Sequence, residues 1–373
     1  MIKSYKYRIY PSVKQIELFN KYYECCNYMV DWGIEKLVSE GDKIDDLDLV
    51  IELSFLKMKH HMFTNIFNDP VSHRMKQLYK LYKQNSKKDD WANIIRGKLY
   101  SKTTLMVYNW FGFVCKRESY IRTVVFGKLK IKGGPEMLGN PNFYIIKKSK
   151  SDKYYISIFC NKIEKKVIKK SGKSVGIDMG IHHFLIMSNG IKIDNPKYFE
   201  KSKGRIKKLR KELSRKVKGS CNYEKTRVKL ANLEEHVVNQ KNDFMYKLAI
   251  EIVKEYDLIC IENADVKSLS RKKDVSKAMR DVSWAKFISI LKNKAKEYDK
   301  KIIKINRYYP SSQRCSNCGY INKKLKNLNI REWECPICRE VHDRDINAAR
   351  NILQEGIRIN TVGATGIKAC GDV

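Results

Sequence analysis

The chain has 373 residues, 43% of them hydrophobic, which is enough for two or three folded domains and excludes a largely disordered protein. Its 76 Lys and Arg residues outnumber 41 Asp and Glu residues, so the formal net charge is +35 at pH 7. Positive charge spread along folded domains indicates a polyanionic partner, most often nucleic acid. No apolar run approaches the roughly 18 residues of a transmembrane helix, and the start lacks a signal-peptide core, so we expect an intracellular protein without a membrane partner.

The first part of the chain begins with a strand pattern and continues with a helical one. Residues 2–10 alternate in polarity and predict a short strand, and a long amphipathic helix follows Pro11 and Ser12. Helical periodicity continues to about residue 115, with a polar loop at 39–48. The first 115 residues therefore predict one strand followed by a helical block.

The period changes from about residue 120. Three segments alternate in the manner of strands, at 120–131, 142–148 and 153–160. Because strands stand on both sides of the helical block, we predict a small β-barrel at 1–10 and 116–170, interrupted by a helical domain at 11–115.

Strands and helices alternate in the second half, which predicts an α/β sheet. The segment 174–190, "SVGIDMGIHHFLIMSNG", reads as a hairpin, and a strongly basic helical region follows at 201–218. Next come a buried strand, a helix, another strand and a last helix, in "YDLICIENADV", "SWAKFISILKNKAKEY", "KIIKIN" and "INAARNILQEG". Gly356 is the predicted C-cap of the last helix, and the tail from 357 to 373 is predicted to be loose.

Four cysteines have the spacing of a metal site. Cys315, Cys318, Cys335 and Cys338 form C-x2-C-x16-C-x2-C, which brings four thiolates around one zinc ion. Because sulfur fills all four positions, the site is structural and leaves no position for water. His342 follows closely; we interpret it as a polar neighbour, with a substitute ligand as the alternative. The other seven cysteines are interpreted as buried hydrophobic residues or tolerated thiols.

Three acids lie at positions where an unpaired carboxylate would be costly. Asp178 interrupts an apolar strand, Glu262 ends another, and Asp345 opens the last helix. A buried acid is costly unless it is paired or binds a metal, and a two-metal phosphodiester hydrolase needs such a set. Singly, each has another reading: the phosphate hairpin of actin-like ATPases, a salt bridge, or a helix N-cap, for which Asp343 competes. Their order along the chain favours the two-metal interpretation, with Mg²⁺ as the ion.

That order resembles the transposon-encoded TnpB family, whose members are relatives of type V CRISPR effectors. The stretches that carry the resemblance are, in chain order, "YRIYPSVKQ", "VGIDMGI", "ICIENADV", "SWAKFISILKNKAKEY", "YYPSSQRCSNCG", "REWECPIC", "HDRDINAARNI" and "ACGDV". Two positions depart from the family pattern: Asp31 stands where Asn is usual, and Arg339 where Gly is usual. We expect strain in the turn at Arg339.

The resemblance implies a RuvC nuclease domain of the RNase H-like α/β fold at 171–314 and 339–373, with an inserted zinc ribbon at 315–338. The barrel is then the wedge and the helical block the recognition domain. It implies that Asp178, Glu262 and Asp345 coordinate two Mg²⁺ ions. Basic side chains are predicted to contact guide or heteroduplex phosphates, namely Lys207, Lys208, Arg210, Lys211 and Arg215, with a solvated helix face as the alternative.

The activity implied is cleavage of target DNA beside a short transposon-associated motif, directed by a guide RNA from the transposon end. The partners are that RNA, double-stranded target DNA and the displaced single strand. Two alternatives stay open: a protein-only transposase or resolvase-type nuclease, and a nucleic-acid-binding regulator that does not cut. The expected setting is the nucleoid in a bacterial cytoplasm.

Overall fold

The computed structural model describes residues 2–100, 104–108, 114–162, 164, 168–180, 183–262, 283–326 and 330–366. The chain divides into two compact units, Met1–Glu164 and Lys165–Val373. The finer domain boundaries given above stay a prediction. None of the helices in the described ranges combines the length and the apolar character that crossing a membrane requires.

The first unit opens as the sequence predicts. Strand β1 (Lys3–Tyr10) buries Tyr5, Tyr7 and Ile9 on one face. Helix α1 (Val13–Glu40) begins at Ser12, whose hydroxyl accepts from the Gln15 backbone N–H at 3.3 Å while the Gln15 side chain accepts from the Ser12 N–H at 3.0 Å.

In the described residues, the rest of the first unit comprises three α-helices, two short 3-10 helices and six strands around one apolar core. The α-helices and strands are α2 (Asp46–Lys59), α3 (Asn68–Asn85), α4 (Trp91–Tyr100), β2 (Thr104–Tyr108), β3 (Cys115–Lys116), β4 (Tyr120–Thr123), β5 (Gly127–Ile131), β6 (Asn140–Lys148) and β7 (Tyr154–Asn161). The seven strands form one antiparallel sheet in the order β2-β6-β7-β1-β5-β4-β3.

Two sequence predictions for this unit need correction, and a third stays untested. The helical block was expected to reach 115, but β2 lies inside it, because the run TLMVY pairs along β6 and buries its centre. The predicted loop 39–48 is shorter, since α2 begins at Asp46. In the described residues β2 and β3 are the two edges of the sheet and do not pair with each other, so closure of the predicted barrel stays a prediction.

The second unit is an α/β sheet with helices on both faces. Its elements are β8 (Ser174–Asp178), β9 (His183–Met187), β10 (Lys192–Asp194), α5 (Tyr198–Ser214), α6 (Cys221–Glu255), β11 (Leu258–Glu262), α7 (Trp284–Glu297), β12 (Lys301–Ile305), β13 (Glu332–Glu334), β14 (Val341–Asp343) and α8 (Arg344–Gly366). The sheet order is β10-β9-β8-β11-β12. Strands β8, β11 and β12 are parallel, and β9 and β10 are antiparallel to their neighbours. The predicted hairpin is therefore β8 and β9.

Two apolar cores cover the two faces of this sheet. Residues of α6 and α7 pack with Val175, Ile177, Ile259 and Ile261 on one face. On the other face Ile352 of α8 packs with β11 and β12. Strand alternation explains the division, since odd-numbered residues of β8 and β11 point to the first face and even-numbered ones to the second.

The C-terminal prediction was wrong at Gly356. This residue lies within α8, which runs on to Gly366, and it does not cap the helix. A Cβ here would stand 2.6 Å from Cβ of Cys260, so Gly356 lets α8 approach β11 closely. Residues 357–366 are helical rather than loose, and the rest of the predicted tail lies outside the described residues.

Candidate active site and zinc site

The three candidate acids lie on the α8 side of the second sheet. Asp178 and Glu262 follow the paired residues Ile177 and Ile261, at the carboxyl ends of adjacent parallel strands. By strand alternation both side chains leave the sheet on the face that α8 covers. Asp345 lies in the first turn of α8. The fold therefore brings together acids that are far apart in the sequence.

Helix α8 is held against β8 at a glycine. A Cβ on Gly176 would stand 2.7 Å from the Leu353 backbone nitrogen and 2.9 Å from the Leu353 Cβ. Any side chain at this position would push the helix away, because such distances are shorter than van der Waals contact. Gly176 is two residues before Asp178, so the close approach also determines how near Asp345 comes to it.

Asp343, and not Asp345, caps α8. Its Oδ1 accepts from the backbone N–H groups of Asp345 and Ile346, each at 3.0 Å, and Lys192 pairs with its other oxygen at 2.6 Å. The competition between the two acids is therefore resolved in favour of Asp343. The Asp345 carboxylate therefore does not cap the helix, and it contacts Arg331 instead.

The pKa of Asp178 indicates that other carboxylates lie near enough to influence it. Burial, followed by the negative charges of Glu262 and Asp345, raises the pKa of Asp178 to about 7. The Met179 backbone N–H and the charge of Arg344 act in the opposite direction. Burial also raises the pKa of Glu262. Carboxylates that repel one another in this way are the donor set that a hard divalent cation stabilises.

Asp345 is held by an arginine from the zinc ribbon. Arg331 Nη1 donates to both Asp345 carboxylate oxygens, at 3.3 and 3.4 Å. The carboxylate oxygens of Asp178, Glu262 and Asp345 do not all lie within 4.8 Å of one another. In the described ranges, one group of His, Cys, Asp or Glu side chains meets that limit. That group is the four cysteines. The three acids lie on the same face of the sheet and influence one another electrostatically, but their oxygens do not form a tight cluster.

The four predicted cysteines form a metal-ligand cluster. The sulfur of Cys315 is 3.6 Å from that of Cys338, and the sulfur of Cys318 is 3.6 Å from that of Cys335. Zn–S bonds of about 2.3 Å in a tetrahedron place sulfurs about 3.8 Å apart, so the geometry fits zinc. The described cysteines outside this cluster are free.

His342 lies beside the cluster as an additional contact. It is buried, its Nε2 is 3.0 Å from the Cys315 sulfur, and its ring packs on Trp333. Burial lowers the pKa of His342, which favours the neutral ring. A neutral imidazole can donate one hydrogen bond to a thiolate, which agrees with the interpretation of His342 as a polar neighbour.

Two buried asparagines tie the ribbon to α8. Asn347 accepts from the Ser316 N–H at 2.8 Å and donates to the Arg314 carbonyl at 2.7 Å. Asn351 donates to the carbonyls of Ser311 and Arg314, at 2.8 and 2.6 Å. The sequence analysis gave these residues no role, although a polar residue at each of two positions of an otherwise apolar helix face could have indicated one.

The two departures from the family pattern have different outcomes. Arg339 has φ of 59°, so the expected strain of a non-glycine residue in this turn is present. In the matching turn of the first knuckle, Gly319 has φ of 82°. Asp31 accepts from Arg96 Nε at 2.9 Å and from the Tyr100 hydroxyl, contacts that join α1 to α4.

The five predicted basic contacts are exposed on or just after α5. Lys207, Lys208, Lys211 and Arg215 share one side of the helix by its 3.6-residue period. Arg210 points elsewhere and pairs with Glu234 of α6 at 2.7 Å. Four of the five therefore offer charge on one surface.

A second basic surface was missed from the sequence. None of the seven strands of the first sheet contains Asp or Glu. Exposed cations follow its solvent side, at Lys6, Arg8, Arg122, Lys128, Lys130 and Lys147. Lys6 lies 4.2 Å over the Tyr155 ring, and Phe143 stacks on Phe159 at 4.3 Å. The alternation of basic residues and tyrosines in "KSYKYRIY" could have indicated this surface.

Three family models match the chain, together over more than half of its length. The model described as "Probable transposase", of the IS605 OrfB family, matches residues 157–273. "Cas12f1-like, TNB domain" matches 284–352, which include all four cysteines and Asp345. "Helix-turn-helix domain", also of the IS605 OrfB family, matches 1–35, where the structure has β1 and most of α1.

Two curated relatives and one solved structure are similar to this chain. A "Putative RNA-guided DNA endonuclease" of Streptomyces pristinaespiralis is 26% identical over 99% of this chain and 91% of its own length. The "Putative RNA-guided DNA endonuclease InsQ" of Escherichia coli K12 is 26% identical over 59% of this chain and 56% of its own. A solved Cas12f1–sgRNA–target DNA complex aligns over 95% of this chain and 99% of its protein, with TM-score 0.37 and 16% identity.

Proposed function

The chain belongs to the TnpB/IS605 family of transposase-like proteins, and on that premise we propose that it is an RNA-guided, magnesium-dependent DNA endonuclease. The proposal includes cleavage of target DNA beside a short transposon-associated motif. Relatives that carry the name RNA-guided DNA endonuclease support it, one of them along nearly the whole chain.

The observation that carries the proposal is the convergence of three acids on one face of the second sheet. Asp178 and Glu262 end adjacent parallel strands, and α8 brings Asp345 near enough for its charge to raise the pKa of Asp178. The two anionic neighbours of Asp178 outweigh the opposing Arg344 charge, whereas a purely structural buried acid is normally paired with a cation. This arrangement supports a RuvC-like nuclease rather than a regulator that has lost its site.

Asp178, Glu262 and Asp345 are the residues that would hold the magnesium ions. When bound, two such ions supply activation of the attacking water and stabilisation of the leaving oxygen. Arg331 pairs with Asp345 through a single nitrogen at 3.3 Å or more and is half exposed, so it can turn from the carboxylate to a phosphate oxygen. Its release leaves the Asp345 oxygens available as ligands.

The four cysteines would hold one structural zinc ion. The ribbon around them carries Arg331. Asn347 fixes Ser316 of the ribbon to α8, and Asn351 fixes the segment just before the ribbon. Zinc would therefore preserve the arrangement of Arg331 and Asp345 without taking part in the chemistry.

Guide RNA and target DNA are the proposed partners of the basic surfaces. The exposed side of α5 and the acid-free sheet of the first unit both offer cations with few competing carboxylates. Contacts of this kind bind backbone phosphates without reading sequence, so base pairing with the guide would select the target.

The first experiment tests the RNA partner. The protein is expressed with its native downstream flank and purified at high salt, and the bound nucleic acid is sequenced. One discrete RNA that ends at the transposon boundary is expected. Only random cellular fragments, or no RNA, would favour a protein-only nuclease that acts on transposon DNA.

The second experiment tests the acids. Asp178→Ala is expected to abolish magnesium-dependent cleavage and to leave RNA binding intact. Asp243→Ala is the matched control, because Asp243 is an exposed acid of α6 that pairs with Lys247. Undiminished cleavage by Asp178→Ala contradicts the proposed site.

A further inference from the structure

Tyr308 is an aromatic side chain that the second unit leaves in solvent. It is 78% exposed, and the other exposed tyrosines of the described ranges do not exceed 47%. Its neighbour Tyr309 instead packs against the apolar core formed by Cys260, Ile305 and Ile352. A single exposed ring is common on protein surfaces, so its place in the fold decides what it can do.

Tyr308 lies near the same edge of the sheet as the candidate acids. Strand β12 ends at Ile305, which pairs with Glu262 at the end of β11. Tyr308 is three residues beyond Ile305, so its Cα is within about 15 Å of the Glu262 Cα. At the roughly 3.4 Å rise of stacked DNA, that distance corresponds to about four nucleotides. Ligands of open α/β sheets bind outside the carboxyl ends of the strands, which is where this loop begins.

The loop that carries Tyr308 is fixed on both sides of the ring. Asn306 Oδ1 accepts from the Tyr308 N–H at 3.0 Å, and the Asn306 carbonyl accepts from the Tyr309 N–H at 3.1 Å. Beyond this turn, the carbonyl of buried Ser311 accepts from Asn351 of α8 at 2.8 Å. Because these bonds already hold the backbone, placing the Tyr308 ring against a ligand costs little conformational entropy.

The surroundings of Tyr308 favour a nucleic-acid ligand. The Arg307 guanidinium carbon lies 4.8 Å from the centroid of the Tyr308 ring. The sequence from Lys300 to Arg331 contains no Asp or Glu. An aromatic ring beside an arginine, in a segment without carboxylates, is typical of surfaces where bases stack and backbone phosphates bind. Every base has a π-face, so stacking on this ring would not depend on the DNA sequence.

We propose that Tyr308 stacks on a base of the DNA strand that is being cut and so holds that strand across the candidate acids. The inference rests on the proposed nuclease function and adds a substrate-binding residue to it. Stacking on Tyr308 requires a base that has left the duplex, because a base inside a duplex already has a neighbour on each face. The contact therefore engages the strand only where it is unpaired.

Single-turnover cleavage tests the contact. Pairing with the guide holds the target, so Tyr308→Ala should leave the Kd for target DNA unchanged. The strand would occupy the active site for a smaller fraction of the time, so the cleavage rate should fall about 5- to 100-fold. Tyr308→Phe keeps the ring and should cut at the wild-type rate.

The matched control is Tyr246→Ala. Tyr246 is an exposed tyrosine of α6 that also has a cation, Lys294, over its ring. Its removal should change neither the Kd nor the cleavage rate. Thermal unfolding of each variant verifies that the fold is retained, which is expected for exposed side chains.

A fluorescence measurement detects the stacking itself. 2-Aminopurine, a base analogue that loses fluorescence when it stacks, is placed in turn at successive positions of the strand. The labelled strand is bound to Asp178→Ala, which keeps it intact. We expect quenching at a position close to the cut, which Tyr308→Ala in the same background should abolish and Tyr308→Phe should retain. This measurement needs only a bound strand, so it tests the contact whether or not the chain uses a guide.

Three results overturn the proposal. The first is equal fluorescence with and without the Tyr308 ring at every labelled position. The second is an unchanged cleavage rate in Tyr308→Ala, and the third is a loss of rate that Tyr308→Phe does not restore, which would assign the effect to the hydroxyl. A wild type that does not cut guide-matched DNA would instead contradict the nuclease proposal, and the fluorescence difference alone would then decide the stacking inference.

Discussion

Gly176 of β8 lies against the backbone of Leu353, where a Cβ would stand 2.7 Å from the Leu353 nitrogen. Gly176→Ala should therefore push α8 off the sheet and move Asp345 away from Asp178. We expect a loss of roughly 1–3 kcal/mol in the free energy of unfolding, the usual range for overpacking. Cleavage should fall by more than the loss of folded protein explains, which activity per folded molecule would measure.

The control for this substitution is Gly204→Ala. Gly204 lies inside α5, and a Cβ there would have no neighbour within 4 Å. Replacing a helical glycine by alanine at an open position should stabilise the second unit by about 0.5–1 kcal/mol. If Gly176→Ala behaved like Gly204→Ala, the close approach would not be what positions α8.

The sequence could predict that Asp178 and Glu262 share a face, because side chains alternate between the two faces along each buried strand. It could not predict the position of Asp345, which depends on how closely α8 packs at Gly176. The misassignment of Gly356 has the same origin. A glycine after a helical pattern resembles a cap, and its actual neighbour, Cys260, is remote in the sequence.

The range of the interactions involved explains the other outcomes. Cysteine spacing predicted the ligand cluster because each C-x2-C knuckle is formed locally and the metal joins only two of them. Strand β2 was missed because five residues inside a helical block give too short a pattern, and its partner β6 begins after residue 139. The strand order of the first sheet likewise depends on long-range pairing, which periodicity does not encode.

The stability of the second unit should depend on pH through Asp178. Its pKa rises from 3.8 in the unfolded chain to about 7 in the fold. The contribution is thus fully present below about pH 3.8 and is lost as pH rises through about 7. In magnesium-free buffer, the thermal midpoint should fall between about pH 5.5 and about pH 8.

Asp178→Asn should reduce this slope and raise the midpoint near pH 8, while it abolishes cleavage. A residual slope should remain, because burial also raises the pKa of Glu262. Added Mg²⁺ should stabilise the wild type at high pH more than it stabilises Asp178→Asn. An equal response of the two proteins would remove Asp178 from the ion site.

Zinc content should distinguish a ligand from a neighbour of the cluster. Cys335→Ser should lose zinc and destabilise the ribbon, whereas Cys221→Ser, an exposed cysteine outside the cluster, should retain about one zinc per chain. His342→Ala should keep the zinc but bind it about 10–100-fold more weakly, as expected when a hydrogen bond to a metal ligand is removed. Metal analysis with chelator competition measures both quantities, and loss of the ion from His342→Ala at saturating zinc would make His342 a ligand.

The second knuckle should be improved by a single glycine. Arg339 has φ of 59°, a left-handed conformation that costs a side-chain-bearing residue about 1 kcal/mol. Its contact with Glu334, at 3.2 Å, is highly exposed and contributes little. Arg339→Gly should therefore slow zinc release to a chelator, since opening the strained turn is a step in losing the ion.

The reciprocal change, Gly319→Ala in the first knuckle, places a Cβ at φ of 82° and should speed release. Equal release rates for the two variants would show that turn strain does not limit how long the ribbon holds its metal.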